Sequence, residues 1–136
     1  EIAKKVDHKA PSIEKRINTI SELASMGWKI GLRFDPLIHG ENWKILYSNL
    51  FENVFKNIDR KVIHSITLGP LRFPKDMFKK IISMNPRSKV LSDTLVLRGN
   101  KISYSNGIEQ EMQSFCTGLL KDYSPDTLFF SCKGNF

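Results

Sequence analysis

The 136-residue chain has only two cysteines, Cys116 and Cys132, and three histidines. Neither cysteine stands at a metal-ligand spacing from a histidine, so no metal site is expected, and a reduced, cytoplasmic protein is the plain expectation. No run of about 18 apolar residues and no signal-peptide pattern occurs, which argues against a membrane span and against secretion. A phosphate-binding glycine loop, a nucleophile elbow, an internal repeat and a low-complexity tract are also absent. Position 1 is Glu1 rather than methionine. With the abrupt entry into Glu1-Ile-Ala-Lys-Lys-Val6, this leads us to expect a piece of a longer protein.

What is present fits one globular domain with one core, at 40% hydrophobic residues. Lys and Arg number 21 against 14 Asp and Glu, a formal charge of +7. Such an excess suits contact with the phosphates of DNA and equally suits a lysine-rich solubilising surface.

Periodicity orders the elements. Ser12 is a suitable N-cap for a helix carrying Ile13, Ile17, Ile20, Leu23 and Ala24, which Gly27 ends. A strand follows from Trp28 to Asp35, then a loop from Pro36 to Glu41. A second helix, capped by Asn42, bears the stripe Trp43, Leu46, Tyr47, Leu50, Phe51, Val54 and Phe55. Val62 to Gly69 reads as a second strand, Gly69 to Pro74 as a loop, and Met77, Phe78, Ile81 and Ile82 as a third helix closed by Asn85-Pro86. Alternating helices and strands with short connections indicate βαβ units on a parallel sheet. Beyond a short linker at Pro86 to Ser92, strands Thr94 to Arg98 and Lys101 to Ser105 flank a Gly99-Asn100 turn. A helix from about Ile108 and a strand from Thr127 to Cys132 complete the chain. The fold class is therefore α/β, divided into residues 1–86 and 87–136. Two strands with three helices cannot close a barrel, so partner elements are expected, with self-association through the exposed sheet edge as another outcome.

Three polar groups are candidates for function. Trp28, Ile30, Leu32 and Phe34 share one face of the first strand, while Lys29, Gly31, Arg33 and Asp35 share the other. Arg33 and Asp35 form either a buried ion pair or the wall of a ligand cavity, which His39 could join. Ser12 and Arg16, with His8 and Lys9 nearby, stand at a helix start, which is either a solvated cap or an anion site. Arg72 follows a strand-to-helix loop, and the hairpin carries Arg98, Asn100 and Lys101 at its tip with Tyr104 nearby. That tip could enter DNA with a ring to stack on a base, or serve as a charged edge against aggregation. His64, inside an apolar strand, reads as a hydrogen-bonded core histidine, and Cys116 as a small core hydrophobe. Cys132 is expected to be exposed. No catalytic residue can be assigned.

The segments Asp7-His-Lys-Ala-Pro-Ser-Ile-Glu-Lys-Arg16, Gly31-Leu-Arg-Phe-Asp-Pro-Leu-Ile38 with Trp43, and Ser65-Ile-Thr-Leu-Gly-Pro-Leu-Arg-Phe73, taken in order, resemble the later part of the spore photoproduct lyase family. These are radical S-adenosylmethionine enzymes related to DNA repair lyases. The resemblance implies the carboxyl-terminal half of a partial, six-stranded parallel β/α barrel followed by a hairpin, helix and strand. It further implies, for the full-length parent, a 4Fe-4S cluster and S-adenosylmethionine generating a 5′-deoxyadenosyl radical that acts on a thymine dimer. The family's three-cysteine cluster motif is not in this chain, so the chain alone is expected to hold no cofactor and to be inactive without the missing amino-terminal half. In this reading Ser12, Arg16, Asp35 and His39 bind the cofactor, and Arg72, Arg98, Lys101 and Tyr104 face DNA. The family's hairpin uses an arginine-tyrosine pair, whereas the tip here reads Arg98-Gly-Asn-Lys101. A non-catalytic basic DNA-binding module is the alternative.

Overall fold

The computed structural model describes residues 9–88, 91 and 94–132. His8 and part of the linker expected at Pro86 to Ser92 lie outside them. In chain order the described elements are α1 (Ile13–Ser25), β1 (Ile30–Leu37), α2 (Trp43–Asn57), a 3-10 turn (Arg60–Val62), β2 (Ile63–Pro70), β3 (Arg72–Pro74), α3 (Lys75–Met84), β4 (Leu95–Arg98), β5 (Lys101–Tyr104), α4 (Asn106–Tyr123) and β6 (Leu128–Ser131).

Local chemistry sets most boundaries. The Ser12 hydroxyl accepts the Lys15 amide at 3.2 Å, capping α1, and Gly27 leaves it with φ of +87°. Ser105 caps α4 by accepting the Ile108 amide. Asn42 differs from expectation: it is left-handed at φ 59°, and its side chain makes no capping bond. The hairpin turns at Gly99, with φ of +62°, while Asn100 keeps a negative φ, which fits a turn with glycine at its first central position.

Two three-stranded sheets result. One is parallel in the order β1-β2-β6; the other is antiparallel in the order β3-β5-β4. β1 runs two residues further than expected, through Pro36. Because β1 is an edge strand, the missing amide of Pro36 leaves no inner ladder broken. Arg72 to Pro74, expected within a loop, instead pairs with Lys101 to Ser103 of the hairpin. Strands on each side of residue 86 thus contribute to both sheets.

One face of the parallel sheet carries the core. Leu32, Ile66 and Leu68 pack with Ile17 of α1, Trp43, Phe51 and Val54 of α2, and Met112, Cys116 and Leu120 of α4. The Phe34 and Phe51 rings meet edge to face at 5.0 Å. The other face is open among the described residues: Gly31, Arg33, Leu128 and Phe130 are exposed beside half-buried Ser65 and Thr67. Parallel sheets are ordinarily covered on both sides. No described helix is long and apolar enough to cross a membrane.

Candidate functional site

Asp35 ends the exposed row of β1 and is the hub of a polar cluster at the carboxyl ends of the parallel strands. Arg72 grips it at two points, Nη1 to Oδ1 at 3.0 Å and Nη2 to Oδ2 at 3.3 Å. Arg33 adds Nη2 to Oδ2 at 2.7 Å. The Cys132 sulfur accepts from Arg72 Nη2 at 2.9 Å and from Arg33 Nη2 at 3.3 Å. The two arginines are unequal: the Arg72 side chain is 12% exposed and Asp35 7%, whereas Arg33 is 63% exposed. Arg72 is thus the buried partner, and its Nη1 also donates to the Pro70 carbonyl at 2.9 Å. The ion pair expected of Arg33 and Asp35 exists, but it is not buried on the arginine side and is the outer part of a four-residue network with Arg72 and Cys132.

Gly69 makes the network possible. A β-carbon there would lie 2.9 Å from Arg72 Nη1, 3.0 Å from Asp35 Oδ1 and 3.0 Å from the Cys132 β-carbon. Burial alone would raise the Asp35 carboxyl, but hydrogen bonds from Arg72 and Arg33 outweigh it and hold the group below the usual carboxylate range. The bond to Asp35 raises Arg72 against the effect of burial. Alongside lies a pocket of about 290 Å³, walled by Arg33, Asp35, Arg72, Phe73 and two prolines, Pro36 and Pro70.

The segment after β1 is held by two phenols. The Ile38 amide donates to Tyr47 Oη at 2.8 Å, and the His39 amide donates to Tyr104 Oη at 2.9 Å. Burial pushes Tyr47 up to about 12 and raises Tyr104 as well. The His39 ring lies 5.9 Å from both Trp43 and Tyr104. Ser12 and Arg16 form a group of their own at the start of α1, where Arg16 Nε donates to the Pro11 carbonyl at 2.9 Å.

The hairpin group needs correction. Tyr104 is 1% exposed and sits in the core, so its ring is not presented to a base. Arg98 does not project from the tip: it folds back to pair with Glu109 of α4 at 2.5 Å and donates to the Tyr104 carbonyl at 3.1 Å. Burial opposes ionisation of Glu109, yet hydrogen bonds from Ser103 and Arg98 hold its carboxyl low. Lys101, half-buried, stands opposite Arg98 and Pro74 in the sheet. Arg72 stands beside the hairpin, its strand position pairing with Ser103, but its side chain turns to Asp35. His64 is exposed rather than buried, because a register shift between Ile30↔Ile63 and Gly31↔Ser65 leaves it without a partner in β1. Cys132, expected to be exposed, is drawn against both arginines. Sequence reasoning also missed Ser103 and Glu109, whose polar types inside an apolar context were the available signal. Cys116 is fully buried as expected, and burial pushes its thiol up to about 12.

No family model matches the chain. A spore photoproduct lyase of Clostridium acetobutylicum is 26% identical over 92 residues, covering 68% of this chain and 27% of that protein. A solved spore photoproduct lyase complexed with dinucleoside spore photoproduct superposes with a TM-score of 0.74 at 18% identity, covering 91% of this chain and 39% of the other. A double variant of that lyase with bound AdoMet and the same dinucleoside gives 0.72 at 19% identity, over 89% of this chain and 38% of the other. The chain therefore spans about a quarter to two fifths of the length of these relatives. In sequence and in fold, the chain resembles the spore photoproduct lyase family over part of that family's length.

Proposed function

We propose that this chain forms the carboxyl-terminal part of a radical S-adenosylmethionine lyase-like enzyme of DNA repair that acts on thymine-dimer photoproducts. The likeness of fold over 91% of the chain carries this reading. The open face of the parallel sheet supports it, since a ligand cavity at strand ends needs a wall that no helix covers. In this reading the amino-terminal half of a larger barrel pairs with the free edge of β1 and closes over Gly31, Arg33, Ser65 and Thr67.

The described residues do not fit an iron-sulfur cluster. They include no group of three or more His, Cys, Asp or Glu side chains able to hold a metal, and Cys116 is fully buried on the inner face of α4. In this reading the cluster belongs to the amino-terminal half, and the chain alone is inactive. Its residues serve as walls: Asp35 and His39 line the cofactor side, with Ser12 and Arg16 at the start of α1. Lys101 faces DNA, whereas Arg72, Arg98 and Tyr104 act by holding Asp35, the hairpin and His39.

The test uses the full-length parent, reconstituted anaerobically with iron and sulfide. S-adenosylmethionine cleavage is expected, reduced at least about tenfold in Asp35→Ala, which loses a charged hydrogen-bonding wall. A reconstituted parent that forms no cluster and cleaves no S-adenosylmethionine would defeat the enzyme reading. Salt-dependent DNA binding by such a parent would then favour the basic binding module.

A further inference from the structure

Positive charge is not spread evenly over the chain. Residues 75–88 hold Lys75, Lys79, Lys80 and Arg87 against the single acid Asp76, so this short segment carries three of the seven net positive charges. Most of it is α3, which buries none of its residues completely. Phe78 turns inward, its ring 5.5 Å from that of Phe73 in β3, while Lys79, Lys80 and Arg87 are exposed and Lys75 is half-buried. Lys75 and Lys79 stand one turn apart on the same side of the helix. Among the described residues none of these four cations is in an ion pair, unlike Arg33, Lys44, Arg72 and Arg98.

The hairpin tip abuts this helix. Lys101 pairs with Pro74, the residue before α3, and the Lys75 amide donates to the Asn100 carbonyl at 3.1 Å. Lys101 is the cation left to the tip, since Arg98 is held by Glu109. The row also starts beside the polar cluster, because β3 takes the chain in three residues from Arg72, bonded to Asp35, to the start of α3. Unpaired cations along a helix and an adjoining strand suit a nucleic-acid backbone, whose phosphates are held by charge without any base being read. An anionic membrane would need the apolar face of α3 free to insert, and Phe78 of that face is already against Phe73.

We propose that Lys75 and Lys79 of α3, with Lys101 of the hairpin, form a ridge that binds the phosphate backbone of duplex DNA and lays it across the carboxyl ends of the parallel strands. This inference rests on the DNA partner of the proposed function and names the face that meets it. Lys80 and Arg87 add charge beside the ridge, and the hairpin supports it rather than entering the duplex.

The experiment titrates the 136-residue chain into a fluorescein-labelled DNA duplex. Anisotropy is followed between about 50 and 200 mM sodium chloride. Log affinity should fall with log salt at a slope of roughly −3, as three phosphate contacts require. Lys75→Ala with Lys79→Ala should make that slope shallower by about 2 and weaken binding at least about tenfold at the lower salt. Lys56→Ala with Lys61→Ala removes the same charge from the end of α2 and the turn before β2, and it should leave the slope unchanged. Circular dichroism checks that both double variants fold. A loss in the second double variant as large as in the first overturns the ridge, and so does the lack of saturable binding at the lower salt. Tighter binding to vesicles of phosphatidylcholine and phosphatidylserine than to the duplex would assign the face to lipid and overturn it as well. The lyase reading fails separately. An active parent whose DNA affinity ignores Lys75 and Lys79 defeats the ridge alone, whereas a parent that cleaves no S-adenosylmethionine but needs both lysines for DNA leaves the ridge standing.

Discussion

The two faces of the parallel sheet are made by the same three strands, yet they differ in nearly every residue they present. On the covered face Leu32, Ile66 and Phe129 form one row across β1, β2 and β6, and Ile66 is wholly buried under the helices. On the other face the corresponding rows read Gly31, Ser65 and Leu128, then Arg33, Thr67 and Phe130. β1 and β2 contribute small or polar residues there, and β6 contributes exposed apolar ones. A solvent surface on a parallel sheet is unusual, and a packed interface would carry large apolar residues on all three strands. Small and polar residues over two strands, ending in the Arg33-Asp35-Arg72 cluster, are what the proposed function takes for a cavity wall.

Substitutions can break that contrast, and the covered face should yield most. Ile66→Ala is expected to lower the unfolding free energy by about 4 kcal/mol, measured from urea denaturation midpoints; a loss near zero would mean that the helices do not rest on this row. Asp35→Ala should follow at about 3 kcal/mol, since it strips the carboxylate from the largely buried Arg72. If the measured loss is no larger than for a surface pair, water reaches Arg72 and the cluster is not sealed. Gly69→Ala should cost about 2 kcal/mol through crowding against Arg72, Asp35 and Cys132, and thermal unfolding would show it.

Acid sharpens the comparison further. The folded-state carboxyl of Asp35 is lowered from its ordinary value of 3.8, so its contribution is fully present above that value and is lost as pH falls through the folded one. Stability should therefore drop below about pH 4, with a shallower slope in Asp35→Asn. Glu109, lowered from 4.5, adds to the same trend. The smallest effect belongs to the open face: Thr67→Ala should change stability by less than about 0.5 kcal/mol. A larger loss would show that this face is packed rather than open.

Much of the fold could be read in advance because its signals are local. The apolar stripe of α2, the Ser12 cap, the hairpin turn at Gly99 and the alternation along β1 each depend on residues within one or two turns of one another. The candidate site was legible only in part. Asp35 and Arg33 stood out as charged residues on a strand face, but nothing near Arg72 in sequence pointed to Asp35, 37 positions away. Tyr104 and Arg98 look like surface residues of a short basic hairpin. Arg98 turns back because Glu109 at the start of α4 receives it, and Tyr104 is enclosed in the core, where its hydroxyl accepts the His39 amide. His64 misled for the opposite reason, since a register shift of one residue turns an apolar-looking position outward.

By itself, then, the sequence determined the α/β class, the caps and turns, and the polar row that ends at Asp35, because each rests on backbone preference and side-chain period. The tertiary structure decided which arginine is the buried partner of that carboxylate, and that Cys132 joins them. Those pairings depend on how closely β3 and the end of β6 approach the end of β1, and on the missing side chain of Gly69 that lets them meet.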